Sequence, residues 1–211
     1  MKIKITDYCR IFPCRELVTR YMWSKCAPKP ADLNQVLIDQ YNRRRIDYRR
    51  FFKMDTLSKA GFLAAELLLE DFDREQPKEN MGIILFNHSS SLEADEAYQQ
   101  TINDKDNYFP SPAVFVYTLP NIVTGEIAIR HKIHGETAFY ITPRFQPDLI
   151  EEIGKSAFSA SGLKYLLTGW VEISNDMIDV CMMLCESDGK RKMAFHAGNI
   201  AKIYQCYRRN L

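Results

Sequence analysis

The run Gly82-Ile83-Ile84-Leu85-Phe86 contains no polar residue, and turn-forming residues bound it on both sides, Pro77 to Asn80 before and Asn87 to Ser91 after. A strand with one wet face alternates apolar and polar residues, whereas five apolar residues in succession need cover on both faces. Such a run predicts a central strand of a parallel sheet, with helices on either side. Just upstream, TLSKAGFLAAELLLEDF (56–72) places Leu57, Phe62, Ala65, Leu68 and Leu69 on one broad helical face, with Asp55 as N-cap. Gly61 and the pair Ala64-Ala65 let another backbone approach closely, as a buried helix needs.

Strand and helix signals alternate through the rest of the chain. Ile3 to Phe12 is β-like and ends at Pro13, and 31–43 has Leu33, Val36, Leu37 and Tyr41 at helical spacing. Ser91 is placed to cap a helix from Leu92 to Ile102. Ser111 to Arg144 reads as an apolar helix, a Pro120-Asn121 break, a second helix carrying Gly125, then His134-Gly135 and an apolar strand. We expect this stretch to form the centre of the fold. A further helix starts at Gln146 or Pro147 and closes at Ser161-Gly162. Tyr165–Ser174 and Asp179–Ser187 flank the turn signal Asn175-Asp176, so they should pair as a hairpin forming an antiparallel sheet edge. The order βαβαβαββ predicts one α/β domain over 1–211, a five-stranded mixed sheet covered on both faces, with the tail 190–211 unassigned.

Composition narrows the function. With 46% hydrophobic and 26% charged residues and a net charge of +1, the chain lacks the basic excess of a nucleic-acid binder. No apolar run spans a bilayer, and the N-terminus lacks the apolar core of a signal peptide, so a cytoplasmic protein without membrane contact is expected. The six cysteines form no CxxC pair, and Cys181 and Cys185 in CMMLC read as small buried hydrophobes. Neither they nor the four histidines have metal-ligand spacing, so no metal and no cofactor is expected.

Nucleophile motifs are missing too. Ser89 to Ser91 has no flanking glycines for a GxSxG elbow, and Ser89 beside His88 has no third group to orient a base. Neither GxGxxG nor GxxxxGK[ST] occurs. The basic cluster Arg43-Arg44-Arg45, Arg49-Arg50 and Lys53 reads first as solvated surface, and second as a docking patch for an acidic partner.

Three segments together give the chain a family likeness. Phe51-Phe52-Lys53-Met54-Asp55 through Ala64-Ala65, the run Gly82 to Phe86, and Ser111-Pro112 through Pro120-Asn121, Gly125 and His134-Gly135 resemble the N-terminal half of a β-ketoacyl synthase. Tyr165 to Glu172 resembles a further strand of that family, and the likeness covers most of 45–187. It implies a thiolase-like fold and, in the family, a cysteine nucleophile after the strand that follows His-Gly. Here that place reads Thr142-Pro143-Arg144, and no cysteine lies within about thirty residues on either side. The family's two catalytic histidines come from its C-terminal half, outside the span of the resemblance.

The resemblance therefore implies a ketosynthase-like protein with no catalytic residue, similar to the chain-length-factor subunits of fatty-acid or polyketide-type biosynthesis. It implies a homodimer, or a heterodimer with a ketosynthase, formed by antiparallel pairing of the strand Thr137, Ala138, Phe139, Tyr140 and Ile141. It also implies that a face left bare by the missing half would need a partner. A different class of function is a binding module for acyl carrier protein or acyl-CoA, using Arg44, Arg45, Arg49, Arg50 and Lys53 for docking, His88 as a further binding residue, and Arg144 to hold a phosphate or carboxylate. Residual decarboxylation through His88 or His134 is a third.

Overall fold

The computed structural model of the chain describes residues 2–12, 15–18, 21–23, 32–106, 108–175, 177–189 and 193–205. Pro13, Cys14, Cys26, Asp176 and Cys206 lie outside the described residues. Eight strands form one sheet, and all five expected strands are present. They are β1 (Ile3–Phe12), β4 (Met81–Asn87), β5 (Thr137–Ile141), β6 (Tyr165–Ser174) and β7 (Met177–Ser187). Two short strands after β1, β2 (Arg15–Val18) and β3 (Tyr21–Trp23), extend the sheet, and β8 (Met193–Ala194) adds a rung beside β1. The order is β3-β2-β1-β7-β6-β4-β5.

The run Gly82–Phe86 lies where its composition requires. β4 pairs in parallel with both β5 and β6, and all of its residues are buried. The β6–β7 hairpin forms as expected, but it is interior rather than an edge, because β1 returns antiparallel alongside β7. The wholly apolar run Val180 to Cys185 already carries the reason: a strand with no polar alternate residues has to be covered on both faces. The stretch 111–144 is also displaced from the expected centre, since its strand β5 ends the sheet.

Side chains leave the sheet alternately toward two cores. Ile83, Leu85, Leu167, Val171, Val180 and Met182 face one layer, made of α1 (Leu33–Arg43), α2 (Thr56–Leu68) and α5 (Ile122–His131). Ile84, Phe86, Leu166, Trp170, Cys181 and Met183 face the other, made of α6 (Pro147–Ser161) and α7 (Ala197–Gln205). β1 contributes to both. Ile3 and Ile5 join the α6–α7 core, whereas Cys9 and Ile11 join the other, although all four share parity. A bulge between Ile5 and Asp7 causes the switch, because one extra residue sends the following side chains to the opposite face.

Local capping explains the helix starts. Asp32 Oδ1 accepts from Asn34 N at 2.9 Å to begin α1, and Asp55 Oδ1 accepts from Ser58 N at 3.0 Å to begin α2. α2 is buried along nearly its whole length, Lys59 and Glu66 included. Ser91 does precede α3 (Leu92–Gln100), but its hydroxyl donates to Thr118 O at 2.6 Å instead of capping the helix. α4 (Pro112–Phe115) is short and runs into a 3₁₀ turn, Val116–Thr118. α6 starts with Gln146 as N-cap and ends at Gly162, whose φ of 60° is the left-handed conformation that stops a helix. The tail from 193, left unassigned by the sequence, supplies β8 and α7.

Candidate functional site

In this architecture the C-terminal ends of β4, β5 and β6 meet, and they carry His88, Thr142 to Arg144, and Glu172. β4 ends in the buried Asn87, whose side chain closes a tight turn on itself. Its Nδ2 donates to Ser90 O at 2.7 Å, and its Oδ1 accepts from Ser90 N at 3.1 Å. Its carbonyl accepts Thr142 N at 2.8 Å, which fixes the end of β5 to the end of β4. Glu172, from β6, accepts from the backbone amides of His88 at 2.6 Å and Ser89 at 3.2 Å. His88 Nδ1 lies 3.3 Å from Thr142 O, and the buried Thr142 donates its hydroxyl to Arg144 O at 3.0 Å. The three strand ends are thus tied by directed hydrogen bonds, most of them through the backbone.

Only the backbone carbonyl of Arg144 joins this lattice. The residue is exposed and forms no ion pair among the described residues. A guanidinium is always protonated and has only donors, so this position can hold an anion but cannot attack a thioester. The described cysteines cannot replace the nucleophile. Cys9, Cys181 and Cys185 are buried within β1 and β7, and burial pushes the Cys185 thiol far above its ordinary value, away from the reactive thiolate. Among the described residues, no group of three histidines, cysteines or carboxylates is placed to hold a metal ion.

The basic cluster divides. Arg45, Arg49 and Lys53 are exposed on the connection between α1 and α2, which contains the 3₁₀ helix Arg49–Lys53. Arg44 is half-buried. Arg50 Nη2 pairs with the buried Glu126 of α5 at 3.2 Å, which makes Arg50 a structural tie. No hydrogen bond or ion pair among the described residues links this patch to His88 or Arg144. His134 sits apart as well, exposed, with Nδ1 2.8 Å from Glu79 Oε1. β5 carries Thr137 to Ile141 on the open edge of the sheet. Tyr140 is 38% exposed and Ile141 is 56% exposed.

One feature of the core was not anticipated. Glu66, inside the apolar stripe of α2, accepts from Arg130 Nε at 2.9 Å and Arg74 Nη2 at 3.2 Å, and lies 3.0 Å from His131 Nε2. Burial pushes its carboxyl up, but His131 and Arg130 outweigh this and hold it at about 2. The same burial lowers His131, with Glu66 opposing. The signal in the sequence was a lone carboxylate amid AGFLAAELLL, with an Arg-His pair ending the helix at 130–131.

No protein-family model matches the chain, and no curated protein sequence is significantly similar to it. Solved structures do match. A ketosynthase/chain length factor described as that of ishigamide aligns with a TM-score of 0.64 at 15% identity, over 92% of this chain and 64% of that one. A ketosynthase in complex with its chain length factor, from Xenorhabdus doucetiae, aligns with a TM-score of 0.60 at 14% identity, over 99% of this chain and 92% of that one. A β-ketoacyl synthase from Burkholderia phymatum aligns with a TM-score of 0.54 at 12% identity, over 88% of this chain and 59% of that one. The chain therefore has the thiolase-like fold that ketosynthases and chain length factors share. It spans less than two thirds of the first and third of these chains. Among the described residues, no single helix is long and apolar enough to cross a membrane.

Proposed function

We propose that the protein is a non-catalytic, ketosynthase-like partner subunit of fatty-acid or polyketide-type biosynthesis, comparable in role to a chain length factor. The observation that carries this reading is the end of β5. The fold delivers a strand to a well-tied turn, and the turn presents the cation Arg144 where the family resemblance implies a thiol. A catalytic subunit needs a nucleophile held at that place, and the described thiols are sealed in the sheet instead. Two further facts support a partner role. The similar structures include a ketosynthase bound to a chain length factor, and this chain covers 92% of one chain of that complex, so a chain of nearly this length occurs in such an assembly. Among the described residues β5 also ends the sheet, so the alternate backbone groups on its outer side are available to a neighbouring strand.

The reading makes a direct chemical prediction. Incubated with acyl-loaded carrier protein together with an intact ketosynthase, the chain should show no acyl adduct by intact-mass measurement, while the ketosynthase acquires one. An adduct on this chain would overturn the proposal.

A further inference from the structure

From Tyr108 to Ile129 the chain carries one charged residue, Glu126, and that residue is buried. By length and composition, Pro112–Thr118 and Ile122–His131 together match a membrane segment, but the chain bends by 99° between them, so they form no span. α5 gives Val123 and Ile127 to the core and leaves Ile129 57% exposed. Val116, in the 3₁₀ turn before α5, is 47% exposed.

The basic connection between α1 and α2 lies against this apolar stretch. Glu126 and Arg130, one turn apart on α5, both reach it. Glu126 Oε1 accepts from Arg50 Nη2 and from the Tyr117 hydroxyl, each at 3.2 Å. Arg130 donates to Asp47 O at 3.1 Å and stacks over the Tyr48 ring at 5.0 Å. Ile129 falls between these two anchors in sequence. In the 3₁₀ helix Arg49–Lys53, residues three apart share a face, so Phe52, 50% exposed, stands with Arg49, and Lys53 with Arg50. Arg45, Arg49 and Lys53 are exposed and have no ion pair among the described residues. Asp47 is the one carboxylate between Arg43 and Lys53.

Exposed cations and large apolar side chains therefore stand together on three elements tied by Glu126 and Arg130. A docking protein helix needs a continuous apolar groove, and an acidic protein surface uses the cations but leaves Phe52, Val116 and Ile129 wet. The interface of an anionic bilayer accepts both at once. Its acidic headgroups meet the arginine and lysine ends, and apolar side chains enter singly beneath them. Contact from one side requires no spanning helix.

We propose that this face, with Arg45, Arg49, Lys53, Phe52, Val116 and Ile129, seats the chain on an anionic membrane surface. The inference goes beyond the partner-subunit reading and does not depend on it.

Vesicle flotation tests it. The chain is mixed with vesicles of phosphatidylcholine alone, or of phosphatidylcholine with about a quarter phosphatidylglycerol. The expected result is binding to the anionic vesicles that fades as salt is raised, and none to the neutral ones. Arg49→Glu with Lys53→Glu should weaken binding by about tenfold or more, whereas Lys202→Glu on α7 should leave it unaltered. Val116→Ser with Ile129→Ser removes apolar contact at constant charge and should also weaken binding by about tenfold. Thermal transitions matching the parent's certify the fold of each variant, and where the serine pair fails that check the charge pair carries the comparison. Equal binding to neutral and anionic vesicles, binding to neither, or a folded serine pair that binds as the parent does would overturn the proposal. Salt-sensitive capture of acidic acyl carrier protein by the same cations, with no binding to vesicles, would overturn it in favour of a protein docking patch.

Discussion

Gly169→Ala is expected to abolish folding. Gly169 sits mid-strand in β6 at φ 144°, a conformation open to glycine and strained for any L side chain. A Cβ there would lie 2.0 Å from Cys181 O on the paired strand, and the obstacle is backbone rather than a yielding side-chain end. The two strands cannot separate locally, because β6 and β7 are paired from Tyr165–Glu186 to Ser174–Met177 and carry both cores. Strain of about 1–3 kcal/mol for the dihedral alone, together with the steric displacement, would consume most of the margin of an ordinary domain. Expression of the variant should give insoluble protein, or a species without a cooperative thermal transition. A soluble variant with the parental transition would show that the β6–β7 approach is looser than described.

Glu66→Gln is expected to cost about 3–5 kcal/mol, the usual effect of removing one partner from a buried ion cluster. The amide preserves size but leaves Arg130 without its counter-charge between α2 and α5. Thermal unfolding should move down by roughly 10 °C for a chain of this size. The pH dependence provides an independent check. Glu66 is held at about 2 in the fold against an ordinary 4.5, so its stabilisation is present above 4.5 and is lost as pH falls toward 2. His131 is lowered from 6.5, so the folded state resists its protonation, and stability also declines as pH falls below 6.5. The parent should therefore lose stability steadily in acid, and Glu66→Gln should lose less of it below pH 4.5. Parallel pH profiles would mean that Glu66 is not the group responsible.

Much of the fold was legible because its strands are buried on both faces. Gly82–Phe86 and Val180–Cys185 admit no wet side, so a sheet between two helix layers follows from composition alone. Strand order was less legible, since neighbours across a sheet are set by long-range pairing. Nothing local to Ile3–Phe12 announces that it lies beside β7, and its bulge hides the side-chain parity that would have shown both cores. Of the site, the arginine just after β5, Arg144, was visible as residue identity. Its supports were not. The Glu172 clamp on the His88 and Ser89 amides joins residues more than eighty positions apart through backbone groups that every sequence possesses. The division of the arginines was hidden for a similar reason, because only the packing of α5 shows that Arg50 is committed to Glu126.

The most direct test of a non-catalytic partner subunit is the native mass of the chain after co-expression with an intact ketosynthase and acyl carrier protein. A stable complex containing one copy of this chain for each ketosynthase chain is the predicted result. A monodisperse monomer recovered apart from the ketosynthase would contradict it.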